Sequence, residues 1–126
     1  MTDNIDPLLR IAIAADACDE RRYEDAARIL SDIPIVLVRT RDAGVHFGKL
    51  AFIASAQHGT YRVALKDCRR IWNWTGANTL NEIALHGIKG GRVSEPLPVN
   101  HIPQVIEVIP CSDKAVTSLQ RTKWNS

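Results

Sequence analysis

Three cysteines are all that this 126-residue chain contains, and no two of them form a C-x-x-C pair. Cys18, Cys68 and Cys111 are odd in number and widely spaced, which speaks against a disulfide framework or a zinc signature and leaves buried free thiols. His46, His58, His86 and His101 also lack metal-ligand spacing, so each takes its default place, exposed or half-buried, and no metal or cofactor is expected. Long apolar runs are missing too. Ile11-Ala12-Ile13-Ala14-Ala15 is too short to span a bilayer, and the acidic residues before it do not suit a secretory signal. The expectation is a cytoplasmic chain with no membrane partner. There is no G-x-x-x-x-G-K-[ST], no G-x-G-x-x-G, no H-E-x-x-H and no G-x-S-x-G. Glu82, Glu95 and Glu107 are scattered, without a second carboxylate beside any of them. A Cys–His nucleophile could only be assembled in space, and with three Cys and four His chance alone supplies candidates. The chain does not read as an enzyme.

What is present supports one compact domain. The apolar share is 45% and the charged share 24%, both ordinary for a globular protein. The net charge of +2 conceals an asymmetry. Residues 1–33 carry eight acids against four bases, whereas residues 34–70 carry seven bases against two acids. The middle third is therefore where an anion would go, although solvated strand positions explain Lys and Arg there equally well.

Asp6-Pro7 suits a helix start, with Asp as N-cap and Pro in the first turn, and Leu8 to Ala17 continues it. Asp19 can cap a second helix with Tyr23, Ala26, Ala27 and Leu30 on one face, before Ser31-Asp32-Ile33-Pro34 stops it. Residues 1–33 thus form a helical hairpin. From Ile35 the period turns to that of strands. Ile35–Thr40 is strongly β, and Val45–Ile53 is a second strand in which Gly48 marks a bulge or bend. Thr60–Leu65 is a third, pinched at Lys66-Asp67 before Cys68–Trp74 continues as a fourth. Thr79-Leu80-Asn81-Glu82 fits a capping box, with Glu82 reaching back to the cap of an inserted helix that ends at Gly87. Lys89-Gly90-Gly91-Arg92 reads as a flexible loop, and Pro96, Pro98 and Pro103 punctuate an extended segment before the last strand, Val105–Ile109. Ser112 can cap a short terminal helix with Ala115, Val116 and Leu119 inside, and Trp124 closes over it as a lid. The fold class is α+β, mainly β. It reads as a small SH3-like or Tudor-like barrel of about five strands over residues 34–126, with an inserted helix, the N-terminal helical hairpin and a short C-terminal helix.

The run Arg69-Arg70-Ile71-Trp72-Asn73-Trp74-Thr75-Gly76-Ala77-Asn78-Thr79 carries the functional signal. Guanidinium forks match phosphates, indole faces match bases, and a helix start offers free N–H groups. Trp72 and Trp74, two apart on a strand, are expected on one face with Arg69 and Ile71, flanked by Arg70 and Asn73. That would make a stacking platform for a base beside phosphate partners. A core stripe or a subunit interface explains the same tryptophans. Gly76 would allow close backbone approach, Asn78 could bond ribose or phosphate, and Arg39 could reach the same mouth from the end of the first strand.

The succession Val38-Arg39-Thr40, Gly48 in a second strand, Val63-Ala64-Leu65-Lys66-Asp67-Cys68, a Trp/Ile pair and Thr75-Gly76 before a helix resembles phage anti-Thoeris sponge proteins. These are small decorated barrels that oligomerise and sequester signalling nucleotides. The likeness covers roughly residues 36–110 and implies ligands such as glycocyclic ADP-ribose or the cyclic oligonucleotides of CBASS. In that family an aromatic residue soon after the Thr-Gly step stacks on the base. Here Ala77-Asn78 stands there, so Trp72 or Trp74 would have to stack, and the family's late arginine finds its nearest match in Arg92. The N-terminal hairpin is an addition to the family pattern. The resemblance therefore implies an oligomeric, non-catalytic sponge for a cyclic nucleotide or cyclic ADP-ribose-like signal. Its ligand-binding rim would be Arg39, Arg69, Arg70, Trp72, Trp74, Gly76, Asn78 and Arg92. A single-stranded nucleic-acid-binding barrel, or a structural oligomer without a small ligand, are the alternatives.

Overall fold

The structure, a computed structural model, describes residues 7–124, and Leu8 by its backbone alone. The apolar run after Pro34 forms β1, Val36–Thr40, in which Val36, Leu37 and Val38 are all buried. A strand apolar on both faces needs a core on both sides, and β1 has two. Val36 and Val38 join one cluster, with Leu50, Ile53, Val63, Leu65 and Val105, while Leu37 joins another with Phe47, Ile71, Ile83 and Leu119. Leu37 has no exposed surface. Leu37→Ala is expected to lower stability by about 3 kcal/mol, read as a shifted urea midpoint at unchanged m-value.

On either side of β1 lie β2, Val45–Ser55, and β5, Leu97–Pro110, both antiparallel to it. β3, Tyr61–Thr75, pairs with β2 along one edge and with β5 along the other, closing a barrel-like ring of four strands. β4, Gly90–Val93, extends the sheet beyond the end of β5 by pairing with Ile71–Thr75 of β3. The protein is therefore mainly β, with five antiparallel strands among the described residues.

So long a pair as β2 and β3 bends through irregularities. The register shifts between Phe47 and Lys49, where a Cβ on Gly48 would come within 2.8 Å of the Lys66 carbonyl oxygen. Opposite, Asp67 takes φ 51°. The bulge at Gly48 and the pinch at Lys66-Asp67 are thus both real, but the pinch does not end the strand, so the expected third and fourth strands are one. The fifth strand is instead Gly90–Val93, which the sequence suggested was a loop. β5 also starts earlier than Val105. Its prolines at 98 and 103 lie in the stretch that pairs with β3 alone, β1 joining only from Val105 onward, which is where a sheet tolerates proline.

The helices cover the two cores. In α1, Pro7–Asp19, residues Ile11, Ala14 and Ala15 pack into the first cluster, so the hairpin shares its core with the strands. The proposed cap Asp6 lies outside the described residues. Asp19 does not cap the second helix. It ends α1, and its carboxylate accepts from the Ser55 N–H (3.0 Å) and hydroxyl (2.6 Å), tying the hairpin to the end of β2. α2, Tyr23–Leu30, buries Ala26 and Leu30 but exposes Tyr23 and Ala27, so its buried face is narrower than the expected four residues. Beneath α3, Leu80–His86, and α4, Asp113–Arg121, lies the second cluster. Ser112 caps α4 as expected, accepting from Ala115 N–H at 3.1 Å and donating to the Leu85 carbonyl at 2.7 Å. At α3 the box is altered: the Glu82 carboxylate accepts from the Asn78 N–H and the Thr79 hydroxyl, not from the Thr79 N–H.

Candidate functional site

β3 carries the residues singled out above, and its pleat separates them. Arg69 turns toward the end of α4. Its Nε donates to the Ser94 carbonyl at 2.8 Å, Nη1 to those of Leu119 (3.3 Å) and Gln120 (2.9 Å), and Nη2 to that of Thr122 (2.6 Å). The guanidinium also lies 5.8 Å from the centroid of the Phe47 ring. A helix C-terminus leaves carbonyls without partners and a partial negative charge, and Arg69 answers both. Burial pulls its pKa down, but a guanidinium keeps its proton at any ordinary pH. Arg69 is thus a helix clamp, with backbone carbonyls on its Nε, Nη1 and Nη2.

Trp72 and Trp74 do not share a face: alternation alone sets Arg69 and Ile71 opposite Trp72, and Trp74 sides with Ile71 instead. The register of β3 on β4 shifts between Ile71 and Asn73, which breaks the alternation. Ile71 is buried, and Trp74 packs against the same cluster while its Nε1 donates to the Ala77 carbonyl at 3.1 Å. Trp72 is 63% exposed, with Trp124 as its aromatic neighbour at a centroid separation of 6.4 Å and an interplanar angle of 43°. Gly76 backs onto Lys89, whose N–H bonds the Thr75 carbonyl, so its close approach serves the chain itself. Asn78 gives its N–H to Glu82. Arg39 pairs across β1 and β5 with Glu107, Nε to Oε1 3.3 Å. Arg92 has its N–H on Asn73 Oδ1, and its guanidinium lies 5.7 Å from the Trp124 ring centroid.

Of the eight expected residues, Arg70 lines a cavity of about 700 Å³, together with His46, Cys68, Ser94, Glu95, Leu97, Asn100 and Trp124. Trp72 and Arg92 adjoin it through Trp124. Arg39, Arg69, Trp74, Gly76 and Asn78 do not line it. Strand pairing assembles the cavity: His46 of β2 lies opposite Arg70 of β3, and Cys68 opposite Leu97 of β5. The Ser94 hydroxyl accepts from the Arg70 N–H at 2.8 Å and fixes the strand just there. Arg70 is exposed and forms no ion pair with a described residue, so its charge is available to a ligand.

The floor of the cavity is chemically distinct from its rim. His46 is 2% exposed, contrary to the exposed or half-buried place expected for every histidine. Its Nε2 sits 2.9 Å from the Ala43 carbonyl and its Nδ1 3.9 Å from Cys68 Sγ. Asn100 Nδ2 donates to the same sulfur at 3.8 Å. Burial lowers the His46 pKa, outweighing the Ala43 bond that raises it, while nearby Arg70 lowers it further. Burial also pushes the Cys68 thiol up, against the opposing effects of Asn100 and Arg70. At neutral pH both groups are therefore uncharged.

Sequence reasoning missed His46, Cys68 and Asn100 as a group and gave Trp124 only the role of a lid. These four stand on three different strands and the tail after α4. The local signals available, an isolated His in an apolar strand and a Cys after a pinch, point equally to plain core.

No curated protein and no solved structure matches the chain. A family match does cover residues 33–119, which takes in His46, Cys68, Arg70 and Asn100 and leaves out the hairpin and Trp124. On that match, which spans well over half of the sequence, the chain belongs to the family described as a domain of unknown function (DUF6948).

Proposed function

We propose that this protein is a non-catalytic sponge, binding and sequestering a cyclic nucleotide or cyclic ADP-ribose-like signal in the cavity beside Trp124. The observation that carries this reading is the convergence of a guanidinium with no ion pair among the described residues, Arg70, and an indole, Trp124, on one cavity of about 700 Å³. That volume suits a small ligand, the guanidinium a phosphate and the indole a base. Arg92 beside the same indole offers a second cation. The base-stacking role given to Trp72 or Trp74 passes to Trp124, with Trp72 behind it. Homo-oligomerisation is part of the proposal, because a second copy covering the exposed Trp72 and Trp124 would enclose the ligand more fully, and analytical ultracentrifugation tests it.

The functional test is a thermal-shift screen against cyclic mono-, di- and trinucleotides and cyclic ADP-ribose isomers, with mass spectrometry of ligand released on heating. At a hundredfold excess over Kd, a ligand that binds only the folded state adds about 2.7 kcal/mol. Arg70→Ala, Trp72→Ala and Trp124→Ala are each expected to abolish that shift while leaving the unliganded melting temperature nearly unchanged. Degraded ligand on release would overturn the non-catalytic reading. Salt-sensitive binding of single-stranded polymers alone would favour the nucleic-acid alternative.

A further inference from the structure

Cys68 stands apart from the other two thiols. All three are buried. Cys18 packs among Ala17, Ala26 and Ala54, and Cys111 lies in the second core, where burial pushes its thiol up to about 12. Only Cys68 lines the cavity, and only Cys68 has an imidazole and an amide on its sulfur. The Ala43 carbonyl can accept but not donate, so it holds the His46 proton on Nε2 and leaves the Nδ1 lone pair facing the thiol. Nucleophile, base and a group orienting the base thus stand in order at the floor of a cavity whose rim carries the Arg70 guanidinium.

We propose that Cys68 is the nucleophile of a covalent-capture site, adding to a small electrophile that bears an anionic group for Arg70. The Arg70 half of this rests on the cavity being an anion site, as proposed above, and the thiol half does not. With a conjugated alkene as the electrophile, Cys68 Sγ bonds to the β-carbon as its proton passes to His46 Nδ1. The π pair moves onto the α-carbon, which then takes that proton back from the imidazolium. Nothing leaves and nothing is oxidised. Asn100 steadies the sulfur as negative charge develops on it. Such capture is stoichiometric, and so compatible with a protein that retains its ligand.

The full-length protein, folded, is treated with 3-maleimidopropionate, which carries a carboxylate, and separately with neutral N-ethylmaleimide, and peptide mapping gives the rate at each cysteine. Cys68 is expected to react at least about a hundredfold faster than Cys18 or Cys111, the low end of what a positioned base contributes. The charged groups lining the cavity with the pair are Arg70 and Glu95. Between the lowered His46 pKa, below 6.5, and the raised Cys68 pKa, above 9.0, the base is free and the thiol intact. The Cys68 rate should therefore be level across about pH 6.5–9, and His46→Gln should slow it by about a hundredfold. A thiol without a base would instead gain about tenfold per pH unit throughout. That slope in the wild-type protein, or Cys68 no faster than Cys111, overturns the proposal whether or not the His46 variant folds. The anionic maleimide should react several-fold faster than the neutral one, and Arg70→Gln should erase the difference. Equal rates with Cys68 still labelled first would uphold the thiol and overturn the role of Arg70 as an anion site.

Discussion

Arg69→Ala is expected to destabilise the protein by about 3 kcal/mol, while Arg70→Ala, one residue along the same strand, changes stability by less than about 0.5 kcal/mol. The Arg69 guanidinium serves four carbonyls, of Ser94, Leu119, Gln120 and Thr122, and holds both the β4–β5 connection and the end of α4 against β3. Removing it leaves helix-terminal acceptors without a donor and unseats the chain that leads to Trp124. A single charge-assisted bond contributes about 1.5–3 kcal/mol net, but water reaches this half-buried site and the bonds act as a unit, so the sum is far from additive. Arg69→Lys should recover only part of the loss, because an ammonium has its donors on one nitrogen and cannot span carbonyls that the guanidinium reaches from three. Arg70 loses no partner of this kind, and under the proposed function its removal acts on ligand binding instead. Urea midpoints for the three variants check the stability side. Equal midpoints for Arg69→Ala and Arg70→Ala would refute the helix-clamp role.

Gly91→Ala carries a comparable expectation, a loss of about 3 kcal/mol or more. A Cβ there would fall on the Asn73 carbonyl oxygen and within 2.8 Å of Trp74 Cα, and Gly91 sits at φ 149°, where side chains are rarely accommodated. The obstruction is backbone, so no rotamer change relieves it, and β4 must separate from β3. Gly90→Ala is the internal control. Its Cβ would meet only Thr75 Oγ1 at 3.5 Å, an ordinary contact, and its effect should stay within about 1 kcal/mol. Because β4 also places Arg92 against the Trp124 ring, Gly91→Ala should weaken ligand binding as well. Denaturant midpoints for the two alanine variants measure the contrast.

These glycines mark where local reading stops. Lys89-Gly90-Gly91-Arg92 looks like a loop because two glycines disfavour both helix and strand. It is a strand because another backbone passes too close for any side chain, a fact about residue 73 that residue 91 does not encode. Arg69 and Arg70 are the same residue type in adjacent positions. Nothing in the run tells which one meets a helix end that lies fifty residues further along the chain. Trp72 and Trp74 keep strand spacing, yet a register shift against β4 sends one outward and the other to the core. His46 and Cys68 are 22 residues apart and meet only because β2 and β3 pair in one register.

What the sequence determined by itself is what short-range sterics and hydrogen bonding decide. That covers the mainly β character, the buried run of β1, the bulge at Gly48, the cap at Ser112 and the buried free cysteines. Which strands close the ring, the joining of two expected strands into β3, the strand at Gly90–Val93 and the cavity over Cys68 were decided by tertiary structure alone. Each depends on which backbones lie side by side, and that is fixed by the packing of two cores on either side of β1, not by the preferences of any one segment.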